Sequence, residues 1–138
     1  MTIAIRYCSR TGNTAKVAQE MATALHVEAR SIEAPLPLPV DDLFLGGAIH
    51  MATMDRELKE FVANLAPGQV GQVFMFGTSG GVMSIARGLA HALKERHIKV
   101  ASAQLFLHGM MPDKKALSDD EKAKIAAFIH QAAAELTR

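Results

Sequence analysis

Residues 9 to 14 read Ser-Arg-Thr-Gly-Asn-Thr: three hydroxyls and an amide around one glycine, between the apolar run Ile3-Ala4-Ile5 and a helix-like pattern. Hydroxyls and amides are neutral donors. A helix opening here adds unpaired N–H groups and the positive end of its dipole. Gly12 lets the backbone curl around a ligand without a side-chain clash. Together these suit non-covalent capture of an anion, phosphate foremost. The same residues also suit a polar turn with an N-cap, since Ser, Thr and Asn are favoured at helix starts.

Spacing removes two other phosphate loops. No two glycines stand two apart, so Gly-x-Gly-x-x-Gly is absent, and no Gly-Lys-Ser/Thr occurs. Cys8 ends an apolar run just ahead of the loop, where a helix N-terminus can activate a thiol. The low-molecular-weight tyrosine phosphatases carry an Arg six positions after such a nucleophile. Thr14 stands there instead, and Cys8 reads as a small buried filler. The six His residues show no metal-ligand spacing.

These residues need elements to hold them. Apolar runs at Thr2–Tyr7, His26–Ile32, Asp42–Gly46, Val70–Phe76 and Val100–Leu107 predict strands, several apolar enough to be buried on both faces. Between them lie helical stripes: Val17, Met21, Leu25; then Leu58, Phe61, Val62, Leu65; then Val82, Ile85, Ala86, Leu89, Leu93; finally Ile125, Phe128, Ile129, Ala132, Leu136. Ser118-Asp119-Asp120-Glu121 has the form of a capping box for the last helix. The segment Ser31–Pro39 carries three prolines and predicts an extended connection.

Alternating strands and helices predict an α/β fold, a doubly wound five-stranded parallel sheet with helices on both faces, as one domain over residues 1–138. In such sheets ligands bind beyond the carboxyl ends of the strands. The loops to inspect therefore follow Tyr7, Gly46, Phe76 and Leu107.

Composition narrows the function classes. The chain has 49% hydrophobic, 21% charged and 5% aromatic residues and a formal charge of +1, with its 15 basic residues scattered. No basic stripe favours nucleic acid. No apolar stretch approaches a membrane span, and a lone Cys with no secretory leader predicts a cytoplasmic protein.

The segment Tyr7-Cys8-Ser9-Arg10-Thr11-Gly12-Asn13-Thr14 resembles the flavodoxin phosphate motif at the end of the first strand. Asp42–Gly47 and Val73–Gly81 are similar to the third and fourth strands and the flavin-flanking loops of short flavodoxin-like proteins. The resemblance implies strand order 2-1-3-4-5 and FMN as cofactor. Ser9, Thr11, Gly12, Asn13 and Thr14 would surround its phosphate, with Arg10 in the same loop; Arg10 and Lys16 read mainly as solvated charge. The flavin ring would lie between the loop Gly47-Ala48-Ile49-His50-Met51 and the loop Thr78-Ser79-Gly80-Gly81-Val82. This chain has no Trp and its one Tyr is in the first strand, so Ile49, His50, Met51 or Val82 would pack on the ring in place of an aromatic sandwich. Asp55, Glu57 and Glu60 read as the solvated face of a helix.

The function that the resemblance implies is electron transfer between a reductase and an acceptor enzyme. An FMN-dependent oxidoreductase acting directly on a substrate is the alternative. Those similar to protoporphyrinogen oxidases carry a long insertion near the last strand, and Val100–Ser118 leaves little room for one. A flavin-free scaffold binding a protein partner is a third reading.

Overall fold

Two runs of β-prone, apolar residues set the middle of the sheet. The computed structural model describes residues 2–50, 53–111 and 115–137. In it β3 spans Val40–His50 and β5 spans Val70–Thr78, and each is buried along nearly its whole length. Side chains alternate across each strand. Phe44, Phe74 and Phe76 therefore face one layer, and Leu43, Leu45, Val73 and Met75 face the other. The first layer is closed by α1 (Asn13–Leu25) and α4 (Asp119–Ala133), the second by α2 (Arg56–Ala63) and α3 (Ala86–Glu95).

Outward from this pair lie β1 (Ile3–Tyr7) and β2 (Ala29–Ser31) on one side and β6 (Leu105–Leu107) on the other. The order is β2-β1-β3-β5-β6, every neighbouring pair parallel. This is the doubly wound order 2-1-3-4-5. One strand is additional: β4 (Thr53–Met54) folds back antiparallel on the far end of β3, pairing Ile49 with Met54 and His50 with Thr53.

The Phe44 and Phe74 rings stack with centroids 4.6 Å apart, and Phe128 of α4 meets Phe44 edge-on at 5.9 Å. Gly46 is required beside them. A Cβ built there would lie 2.3 Å from the Phe76 ring. The capping box of α4 forms as its sequence predicts, Ser118 Oγ accepting from the Glu121 N–H and Glu121 Oε1 from the Ser118 N–H.

Several boundaries differ from expectation: the second strand is only Ala29–Ser31, and β5 runs past Phe76 to Thr78. The last strand is short because the Ser102 and Ala103 N–H groups donate to the Glu135 carboxylate rather than to a strand. Only an isolated bridge, Val73 to Val100, remains of its first half. The third helix begins at Ala86, so Val82 lies outside it and is 91% exposed. The third strand does not stop at Gly46 but runs on to His50, because β5 continues alongside it through Gly47 and Ala48 and β4 partners Ile49 and His50. Among the described residues no helix is long and apolar enough to cross a membrane.

Candidate functional site

The carboxyl ends of β1, β3, β5 and β6 all point to one edge of the sheet, and the segment after β1 dominates it. Cys8 N–H still pairs with Gly46 O at 3.0 Å, after which the chain leaves the sheet. Gly12 precedes α1 at φ +91°, a left-handed conformation that costs a side-chain-bearing residue about 1 kcal/mol or more. Ser9 Oγ turns back to accept from the N–H of Gly12 at 3.1 Å and of Ala15 at 3.4 Å. Between those two amides lie Asn13 and Thr14, whose N–H groups the helix leaves without an internal acceptor. No acidic residue occupies the first turn of α1. The result is a loop of donors at a positive dipole end, with no fixed negative charge in that turn to compete with an anion.

This loop is bonded to its neighbours. The buried Thr14 and Thr78 hydroxyls lie 2.9 Å apart, which links α1 to the end of β5. Asn13, also buried, donates from Nδ2 to Met111 O at 3.0 Å, which links the same turn to the segment after β6. The partner atom, Asn13 Oδ1, is buried and accepts nothing from the described residues. Ser79 completes the connection: its N–H donates to Leu107 O, its carbonyl accepts from Met110 N–H, and its hydroxyl meets Gly81 O at 2.9 Å and His108 Nδ1 at 3.0 Å. If the hydroxyl proton goes to Gly81, His108 donates from Nδ1.

Beyond Ser79 the edge is open and apolar. Gly80 and Gly81 are exposed, and Val82, Met83 and Met111 are 91%, 54% and 58% exposed. The other predicted flank is arranged differently. Ala48 is buried within β3 opposite Thr78, and Ile49 packs towards the α2/α3 layer. They belong to a strand, not to the loop expected at Gly47–Met51, because Gly47 and Ala48 pair with Gly77 and Thr78 of β5 and Ile49 pairs with Met54 of β4. Met51 lies outside the described residues. His50 lies in the last pair of the hairpin, beside Asp55.

Asp55 is the residue that sequence reasoning misplaced. It was expected on a solvated helix face, yet its side chain is only 4% exposed. Its carboxylate takes an ion pair from Arg10 Nη2 at 3.0 Å, accepts the Cys8 thiol at 3.6 Å, and lies 3.8 Å from His50 Nε2. Arg10 is 61% exposed and so keeps most of its solvent contact while being tied to Asp55. Burial pushes the Cys8 thiol up to about 12, helped by the charge and hydrogen bond of Asp55 and the charge of Glu57, with Arg10 opposing. Cys8 is therefore a protonated filler and not a nucleophile. The carboxylates of Asp55 and Glu57 and the Cys8 sulfur lie within 4.8 Å of one another, with Arg10 supplying positive charge to Asp55. The one available signal for Asp55 was its place just before a helix, where Asp favours the N-cap. It makes no cap bond, having turned to Arg10 instead.

Comparison with known proteins places this geometry. The flavodoxin domain family matches residues 4–81, more than half of the chain, and the protein belongs to that family. No curated protein matches it significantly. Among solved structures, a flavodoxin from the domain Archaea superposes with a TM-score of 0.76 over 98% of both chains at 16% identity. The Streptococcus pneumoniae TIGR4 flavodoxin gives 0.71 at 13% identity, covering 99% of this chain and 100% of that one. The rubredoxin oxygen:oxidoreductase of Desulfovibrio gigas gives 0.74 at 14% identity, covering 97% of this chain but 35% of that one. At these identities the likeness is one of fold. Membership of the family makes a role in flavin redox chemistry the frame for this site.

Proposed function

We propose that this protein binds FMN at the edge formed by residues 9–14 and 78–82 and carries electrons between a reductase and an acceptor enzyme. The observation that carries the reading is the donor loop before α1, with Gly12 at φ +91°, Ser9 Oγ clamping the turn, and no acid in the first turn.

The donor set fits the cofactor. The Asn13 and Thr14 N–H groups and the Thr11 hydroxyl suit a phosphate dianion, and Lys16, next to Gly12 in space, adds positive charge nearby. Asn13 Oδ1, the acceptor left over, suits a hydroxyl of a sugar-alcohol chain. Val82, Met83 and Met111 offer an apolar surface to a flat ring and would keep water from it. When bound, FMN supplies reversible electron uptake and release. His50 Nε2 stands 3.8 Å from the Asp55 carboxylate at the edge of the site. Carrier function is supported by the exposure of this edge, which leaves room for a partner protein, and by the short connection between β6 and α4.

The test is to titrate the purified protein with FMN and with riboflavin, which lacks the phosphate. Tight FMN binding, at least a hundredfold stronger than riboflavin binding, is expected. Equal affinities would mean that the loop does not hold the phosphate, and no binding of either would leave a flavin-free scaffold. Stepwise reduction of the reconstituted protein then separates a carrier from an enzyme. A carrier passes its electrons to a redox protein and does not turn over small-molecule substrates.

A further inference from the structure

A cavity of about 480 Å³ opens on the other side of the hairpin, between α2 and α3, away from the donor loop. Its volume falls in the range of small-molecule sites, about 300–1,000 Å³. The floor is apolar, formed by Ile49, Met54, Val62 and Ile85. Polar groups stand at the mouth. Lys59, held near Thr53 Oγ1 at 3.3 Å, is at the hairpin end, and Arg96 is at the other. Arg96 spends Nε and Nη2 on Leu65 O, which fixes its guanidinium and leaves Nη1 uncommitted. The single acid at the mouth, Glu95, has Oε1 2.8 Å from His91 Nε2.

One wall carries a glycine with no internal reason to be one. Gly88 lies within α3, and a Cβ built on it meets nothing within 4 Å. Almost any side chain would suit the helix better than glycine, yet here the space is left open. A cavity with an apolar floor and a lysine and an arginine at its two ends, against a single acid, is complementary to an amphipathic anion.

We infer that the α2/α3 cavity binds a small amphipathic carboxylate, its apolar body over Ile49, Met54, Val62 and Ile85 and its acid group at Lys59. This site is separate from the proposed FMN site and does not depend on it. Gly88 keeps the entrance free.

The test uses 2-naphthoate and its uncharged analogue 2-naphthamide, added to the 15N-labelled full chain with and without FMN. Saturable shifts of amide resonances in α2 and α3 are expected for naphthoate, with at least tenfold weaker binding of the amide. Gly88→Leu, which fills the entrance and favours the helix, should abolish the shifts while circular dichroism stays native. Lys59→Gln should weaken naphthoate and leave the amide unchanged. Equal binding of the two probes would overturn the anion, and shifts confined to other residues, or none, would overturn the site. Survival of binding in a folded Gly88→Leu protein would do the same.

Discussion

The contact between Thr14 and Thr78 is the most direct check on how the donor loop is held. Both residues are buried, at 1% and 5% exposure, and their hydroxyls lie 2.9 Å apart. Replacing either with Val keeps shape and β-branching and removes one oxygen, so no cavity term enters. The hydroxyl left behind is desolvated and unpaired, which costs about 1–3 kcal/mol. Thr78→Val should fall at the lower end, because Thr14 sits in the first turn of α1 and can turn its hydroxyl back to a carbonyl of the preceding loop. Thr14→Val leaves Thr78 in a strand, with no such resort, and should cost about 2 kcal/mol. Replacing both removes the two polar groups together and should be nearly neutral.

The assay is equilibrium urea unfolding of the FMN-free protein followed by circular dichroism, so that ligand binding adds nothing to apparent stability. A coupling energy of about 3 kcal/mol is expected between the two positions, with the double variant more stable than Thr14→Val alone. In melting temperature each kcal/mol is worth about 3–4 °C for a chain of this size. If the losses simply add, the two hydroxyls do not bond, and the link between α1 and β5 described above is wrong.

Thr11→Asp puts a negative charge beside the proposed phosphate; at about 6 Å and an effective dielectric near 40, repulsion from a dianion is about 3 kcal/mol, so FMN affinity should fall roughly a hundredfold, as read by fluorescence quenching on titration. Unchanged affinity would place the phosphate elsewhere. Gly46→Ala forces a methyl into the Phe76 ring, 2.3 Å from the nearest carbon, and should destabilise the fold by about 2–3 kcal/mol, visible as a lower urea midpoint. Cys8 should resist iodoacetamide at pH 8, since its thiol is held near 12 against an ordinary 9.0. Because the fold retains a proton that the unfolded chain gives up, this group's contribution is complete below pH 9 and is lost between pH 9 and about 12. Asp55→Asn removes the neighbouring charge and should speed alkylation at pH 8; a wild-type rate equal to that of a free thiol peptide would contradict the buried, protonated assignment.

The central sheet was legible because strands buried on both faces write themselves as apolar runs, and the α4 start because Ser118 and Glu121 have only one efficient use together. The donor loop was legible for a similar reason: Ser9 and Gly12 do locally what their types suggest. What escaped depended on partners distant in sequence. Nothing in Gly47–His50 announces that Gly77 and Thr78 of β5 will pair with its first two residues and Thr53 and Met54 with its last two, making a strand of an expected loop. The shortening of the last strand needs Glu135, more than thirty residues away, to capture the Ser102 and Ala103 amides. Asp55 looked like surface charge because burying a carboxylate is costly without a partner, and its partner, Arg10, stands 45 positions earlier.

These long-range bonds bear on function through pre-organisation. A loop that must order itself around a ligand spends about 1–2 kcal/mol per residue fixed, which comes directly out of affinity. Here the turn before α1 is held from several sides before any ligand arrives: Ser9 clamps it from within, Thr78 holds it at β5, and Met111 O anchors Asn13 to the segment after β6. Arg10 and Asp55 add a link to the start of α2. The aromatic sandwich is missing, so the ring end of a flavin finds weaker contacts than stacking would provide. If FMN is held as proposed, its affinity comes chiefly from the rigid phosphate end. It follows that variants loosening the tethers should reduce FMN affinity more than variants trimming Val82 or Met83, and the reverse order, measured by titration, would move the main source of binding from the phosphate to the ring.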